Sequence, residues 1–155
     1  AIRGACTAYA LPGRRITDDE WRWAQDVLAQ TSGAVAAVAD GVGDDYVAKL
    51  YQRLHDAGPR DLPVTQSCVA LGDSALLTFP GELYTEIGQH IKAHSPFKRT
   101  FIIGLANGYV GYIPTAQAIA EGGYAEDTRR VDAAAEQTVV ERSLALLRSV
   151  YECGR

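Results

Sequence analysis

The chain has 155 residues, a formal net charge of −4, and 47% hydrophobic and 22% charged residues, the composition of one globular domain with a core of useful size. Its pI near 5.3, with charges of mixed sign, excludes the basic face that a nucleic-acid grip needs. No run approaches the roughly 18 uninterrupted apolar residues of a transmembrane helix, and the first residues carry no signal-peptide core.

Residues 3–12 alternate loosely and end at Pro12-Gly13, which predicts a short strand and a turn. Thr17-Asp18-Asp19-Glu20 reads as a capping box, opening a helix to about Gln30 with Trp21, Ala24 and Leu28 on one face. Residues 31–43, rich in Ala, Val and Gly, read as a flexible connection. Asp44 or Asp45 opens a second helix carrying Val47, Leu50, Tyr51 and Leu54, and Gly58-Pro59 stops it. Val64–Leu71 and Ala75–Phe79 read as strands joined by a hairpin at Gly72-Asp73. Pro80-Gly81 breaks the second strand, and a helix is predicted from about Glu82 to His94 with Leu83, Ile87 and Ile91 as its apolar stripe. Thr100–Leu105 reads as a buried strand, Asn107-Gly108 as a turn, and Tyr109–Ile113 as a short extended piece. One or two helical turns over 115–121 close at Gly122-Gly123. A last helix spans roughly 133–152, with Val140, Leu144, Leu147 and Tyr151 on its core face. The expected class is α/β, a mixed sheet flanked by helices. Residues 1–60 read as a peripheral helical layer and 61–155 as the sheet-bearing part.

Several residues carry chemistry, each beside a plainer reading. Glu82 stands where a strand ends, the place where α/β proteins set working groups; it reads as a metal ligand or general base, or as an acid favoured by a helix dipole. The loop Asn107–Thr115 holds two glycines and two tyrosines. Tyr109 and Tyr112 are three apart, so an extended loop points them to opposite sides, toward a site or into packing. Tyr124 follows Gly122-Gly123 on an expected flexible loop, as a site residue or a half-buried surface tyrosine. Glu86, His90 and His94 share one helix face at zinc-ligand spacing, but Ile91 stands where the metalloprotease pattern needs a glutamate; a solvated face is the simpler account. His55 is expected to be exposed. Ser67 and Ser74 have no histidine near them in sequence, and no phosphate loop or nucleophile elbow occurs. Cys6, Cys68 and Cys153 are too few and scattered for a disulfide framework. They read as free thiols, which favours a cytoplasmic over a secreted setting, with a Cys6–Cys153 bridge as the alternative.

Three segments, CVALGDSALLTFPGELYTEIGQHIK, FIIGLANGYVGYIPT and EGGYAE, resemble the C-terminal part of the catalytic region of the neutral (alkaline, non-lysosomal) ceramidase family, in its bacterial ceramidase-like branch. The resemblance spans residues 68–124 and fits the closing helix; residues 1–60 carry little of it. It implies a zinc-dependent hydrolysis of a linear amide bond, of ceramide or a similar lipid-like amide. By motif, Glu82 and Tyr112 match two of the family's zinc ligands, and Tyr124 matches an active-site tyrosine that helps to polarise the amide carbonyl. The family's two histidine ligands and its serine nucleophile lie in an earlier part of the polypeptide, and none of His55, His90 or His94 matches a ligand position. The segment between Glu82 and Tyr112 is shorter than in animal ceramidases.

The resemblance implies one zinc ion shared with histidines outside this chain, and the N-terminal portion of the same protein as partner. On this reading the methionine-free start at Ala1 is an internal cut, and the fold is incomplete without the preceding portion. The second expectation, from another class, is a non-catalytic binding or assembly module that keeps the fold without a complete metal site.

Overall fold

The computed structural model describes residues 2–31 and 43–153. The connection expected over 31–43 lies, apart from its two ends, outside the described residues.

β1 (Ile2–Leu11) pairs antiparallel with β2 (Leu62–Leu71) along its full length, from Ile2↔Leu71 to Leu11↔Leu62. β2 turns through Gly72, at φ 61°, into β3 (Ser74–Thr78); the positive φ suits a glycine in a tight hairpin. Two further strands are β4 (Glu82–Leu83) and β5 (Arg99–Ile103). β5 lies parallel to β3, giving a mixed four-stranded sheet of order β1-β2-β3-β5. β6 (Tyr112–Ile113) pairs parallel with β4 in a separate two-stranded sheet.

The expected capping box is present. The Thr17 hydroxyl accepts from the Glu20 amide, the Glu20 carboxylate accepts from the Thr17 amide, and α1 (Asp18–Gln30) follows. α2 (Asp44–Ala57) ends at Gly58, whose φ is 68°. The two helices share a small core of Ile16, Ala24, Val47, Ala48 and Tyr51. α3 (Thr85–Ala93) and α6 (Ala135–Glu152) cover one face of the large sheet, and their Ile87, Ile91, Val139 and Leu147 join Val64, Cys68 and Leu77 in the main core. Each such side chain stabilises the fold by about 1.5–3 kcal/mol through removal from water. Gln66, fully buried in this layer, accepts from the Tyr9 hydroxyl at 2.7 Å and donates to the Ser143 hydroxyl and the Thr78 carbonyl, both at 3.1 Å. This polar set links α6 to β1, β2 and β3, because a buried amide left unpaired is costly. α4 (Ala116–Glu121) and α5 (Tyr124–Asp127) lie between β6 and α6. No described helix is long and apolar enough to cross a membrane.

Four expectations are corrected. β1 belongs to the sheet, so α1 and α2 alone form the helical layer of the first 60 residues. Glu82 does not open a helix: its amide bonds the Gly111 carbonyl at 3.0 Å and the Tyr84 amide bonds the Ile113 carbonyl at 3.1 Å, and these ladder bonds draw the segment into β4. The strand expected to be buried at 100–105 is an edge strand with Phe101 52% and Leu105 58% exposed, since helices cover only one face of its sheet. The buried face of α6 is Ala135, Val139, Ser143, Leu144, Leu146, Leu147 and Val150, with Val140 and Tyr151 only half-buried.

Candidate active site at the ends of the parallel strands

β3 and β5 run parallel, and the chain beyond their carboxyl ends builds the site, as is usual for α/β sheets. The pairing continues past both strands through Phe79 N to Ile103 O at 2.8 Å, Ala106 N to Phe79 O at 3.0 Å and Leu105 N to Gly81 O at 3.1 Å. Gly81 is required by close approach: a Cβ there would lie 2.6 Å from the Gly111 carbonyl oxygen and 2.9 Å from Val110 Cγ2. The following loop holds Leu105 and Asn107 at φ 56° and 69°, a left-handed conformation that asparagine tolerates better than leucine. The Asn107 amide donates to Thr78 Oγ1 at 2.9 Å, which ties the loop to β3.

Glu82 and Tyr112 are direct partners in the β4–β6 ladder, so both side chains leave the same face of the small sheet. The Tyr112 phenol is held above its ordinary pKa by desolvation first, then by the charges of Glu82 and Tyr124 and by a hydrogen bond with Glu82. The Tyr124 ring meets the Tyr112 ring edge-on, with centroids 5.7 Å apart and planes at 77°. The three residues singled out by the resemblance therefore stand together.

Tyr109 lies earlier on the same loop and lines a groove with Pro80 and Val110. Its phenol is raised by desolvation first, and then by the charges of Glu82, Tyr124 and Tyr46. Gly111, between Tyr109 and Tyr112, sits at φ 85°. Two grooves open on these loops. One of about 630 Å³ runs beneath Tyr109 along Leu54, Pro80, Val110 and Arg130. The other, about 530 Å³, borders Glu82 with Tyr84, Ile102 and Leu105.

Tyr124 opens α5 and does not lie on a free loop. α5 is one turn long and is held from outside by Arg14, which is 2% exposed. One Arg14 nitrogen, Nη1, donates to the carbonyls of Glu126 and Asp127, both at 3.0 Å. Nη2 reaches Glu20 Oε1 at 2.6 Å and the Tyr51 hydroxyl at 2.9 Å. Arg14 thus joins α1, α2 and the turn that carries Tyr124. Sequence reasoning missed it, because an arginine in Gly13-Arg14-Arg15 has no periodic or motif signal that separates it from a surface residue.

The histidines lie elsewhere. His90 and His94 are exposed on α3 with rings stacked at 4.2 Å, and His55 stacks on Trp21 at 4.1 Å. Cys6, Cys68 and Cys153 are free thiols, and burial pushes the Cys68 thiol up to about 11. Among the described residues no three His, Cys, Asp or Glu side chains form a metal cluster. A carboxylate and a phenol side by side are two oxygen donors, which would fit part of a four-ligand zinc set and not a complete one.

No protein-family model matches the chain, and no curated protein matches it. Solved structures do match, among them neutral ceramidase from Pseudomonas aeruginosa and a ceramidase complexed with C2. Each match has a TM-score of 0.51 and 19% identity and covers 59% of this chain but only 15% of the ceramidase chain. The resemblance read from the motifs is therefore present in three dimensions: the chain shares the fold of part of neutral ceramidase.

Proposed function

We propose that this chain is the C-terminal portion of a ceramidase-like zinc amidohydrolase, acting on the linear amide bond of a lipid-like substrate. The observation that carries this reading is the grouping of Glu82, Tyr112 and Tyr124 at the carboxyl ends of parallel strands, in a chain with a ceramidase fold. Glu82 and Tyr112 would hold the zinc together with two histidines from the preceding portion. When bound, the ion supplies Lewis-acid polarisation of the amide carbonyl and an activated oxygen nucleophile.

The chain's own residues have separate tasks. Glu82 brings a negative charge and accepts from Tyr112. The Tyr112 phenol would have to lose its proton to solvent on binding the ion, since a Glu82 that took the proton up could no longer serve as an anionic ligand. Tyr124 would donate its hydroxyl hydrogen bond to the carbonyl oxygen as negative charge develops there. Hydrolysis breaks the carbon–nitrogen bond. The acyl carbon gains a hydroxyl, and the leaving amine gains a proton. The groove that borders Glu82 supplies apolar wall from Ile102 and Leu105, which suits a substrate with an apolar chain beside the amide.

The test compares zinc content and turnover of a short N-acyl amide for Glu82→Ala and the unaltered protein, both with the preceding portion present. Loss of zinc and of turnover is expected. Zinc and turnover unchanged in Glu82→Ala would sink the reading. An unaltered protein that takes up no zinc would leave the non-catalytic module as the conclusion.

A further inference from the structure

Three segments distant in sequence are locked together near the site. The Arg14 amide bonds the Arg130 carbonyl at 2.9 Å, and the Asp132 amide bonds the Pro12 carbonyl at 2.8 Å. Gly13 pairs with Val131 in an antiparallel bridge. Gly13 also packs so closely on the Arg60 backbone that a Cβ would run into the Arg60 carbonyl, an approach that only glycine permits. Gly13 therefore brings Arg60 and Arg130 to one place.

Both arginines line the groove of about 630 Å³, a size that takes a small molecule. Arg60 Nε donates to the Ala57 carbonyl at 3.1 Å. Among the described residues neither Arg60 nor Arg130 forms an ion pair. Arg14, on the same lining, is already neutralised by Glu20 at 2.6 Å and Glu126 at 3.6 Å, while its buried Nε has no hydrogen-bond partner. Asp61 is the one acidic residue on the described lining. The groove thus carries an excess of positive charge in a chain whose net charge is −4. Two guanidinium groups in one concavity repel each other. An anion between them removes that repulsion and accepts their paired N–H donors, a geometry that matches carboxylate and phosphate.

The groove also reaches the candidate site. The Arg130 stem lies along Gly111, where a Cβ would stand 3.7 Å from Arg130 Cδ. Gly111 accepts the Glu82 amide and precedes Tyr112. Tyr109 and Val110, on the same loop, form part of the wall, and Leu54 and Leu62 add apolar surface. A molecule seated between the two arginines therefore lies against the loop that carries Tyr112.

We propose that this groove binds the anionic end of the substrate, so that the linear amide hydrolysed here carries a carboxylate or a phosphate, with Arg60 and Arg130 as its specificity-determining residues. The assignment of the anion to the substrate rests on the proposed function above; the anion site itself does not.

The experiment measures dissociation constants in the zinc-free polypeptide that includes the preceding portion. Three probes share one acyl chain: N-acyl glycine, N-acyl ethanolamine phosphate and the neutral N-acyl ethanolamine. At least one anionic probe is expected to bind about tenfold or more tightly than the neutral one, the scale of a charge-assisted hydrogen bond, and which of them does so names the anion. Arg60→Gln and Arg130→Gln should each remove most of that preference. Arg53→Gln, at an exposed position of α2 outside the groove, should keep it. Equal affinity for charged and neutral probes overturns the proposal, and so does a preference that survives both groove variants. Inorganic phosphate that binds as tightly as the acylated anions would overturn the substrate assignment, since the site would then serve free anions. The readout needs neither zinc nor turnover. An anion preference in a protein that takes up no zinc would sink the catalytic reading and leave the anion site standing. Zinc-dependent turnover that is blind to substrate charge would sink only the present proposal.

Discussion

Glu82 and Tyr112, distant in sequence, are register partners in a two-residue parallel ladder. Their approach depends on backbone contacts and not on the side chains themselves, because the Glu82 amide is held by the Gly111 carbonyl and the Tyr84 amide by the Ile113 carbonyl. The site is therefore sensitive to the spacing of the backbones around it.

Gly81 sets that spacing. Gly81→Ala places a methyl 2.6 Å from the Gly111 oxygen, so β4 and β6 must separate. A loss of about 2 kcal/mol in urea unfolding is expected, the scale of overpacking. Gly88→Ala is the contrast: its methyl meets nothing nearer than Ile102 Cδ1 at 3.7 Å, within α3. There, helix propensity predicts a gain of roughly 0.5–1 kcal/mol. The same sign for both substitutions would refute the close-approach argument.

Tyr112 and Tyr124 are in ring contact but have different proposed tasks. In the polypeptide that includes the preceding portion, Tyr124→Phe should lower kcat by about 10²–10³-fold and leave zinc content intact, as loss of an oxyanion donor does. Tyr112→Phe should instead lower zinc content. Metal analysis beside steady-state kinetics separates them, and identical behaviour of the two variants would contradict the assignment.

Arg14 holds the α5 turn by two carbonyls and pairs with Glu20. Arg14→Ala leaves the Glu126 and Asp127 carbonyls and the Glu20 carboxylate without their cation. A destabilisation of about 3 kcal/mol is expected, near the lower end for breaking a buried pair because Glu20 is partly exposed. Urea unfolding measures the loss, and faster amide exchange over residues 124–128 would show that α5 has loosened. Unchanged exchange there would mean that Arg14 does not position Tyr124.

Glu20 supplies a pH dependence. Burial raises its pKa, but the Thr17 amide and Arg14 outweigh burial, and the carboxyl is held below its ordinary value. A carboxyl with a lower pKa in the folded state contributes stability above its unfolded pKa and loses it as pH falls through the folded one. Glu20→Gln should therefore be less stable near neutrality, by roughly 1–2 kcal/mol given its partial exposure, and the two unfolding curves should converge in acid. Glu126 acts in the opposite direction: burial first, then a hydrogen bond with Asp127, raises its pKa, so its proton uptake in acid favours the fold and offsets part of the loss. A stability difference independent of pH would show that Glu20 acts through packing and not through charge.

The sequence by itself determined the local elements. The Thr17 cap, the Gly72-Asp73 hairpin and the Gly58-Pro59 stop each act within a few residues, and each is found where the pattern places it. The sequence also singled out Glu82, Tyr112 and Tyr124 as a group, through three short motifs in a fixed order. Only the tertiary structure decided that Glu82 is a strand residue, that β5 is an exposed edge and that Arg14 is buried. Those outcomes rest on partners far away along the chain. A pair of ladder bonds to β6 outweighs the weak helix preference of Glu82-Leu83, and two carbonyls of α5 draw in an arginine that local pattern leaves at the surface. Local preference is worth tenths of a kcal/mol per residue, whereas a bond between distant segments is worth about 1 kcal/mol and more when charged, so the distant partner decides.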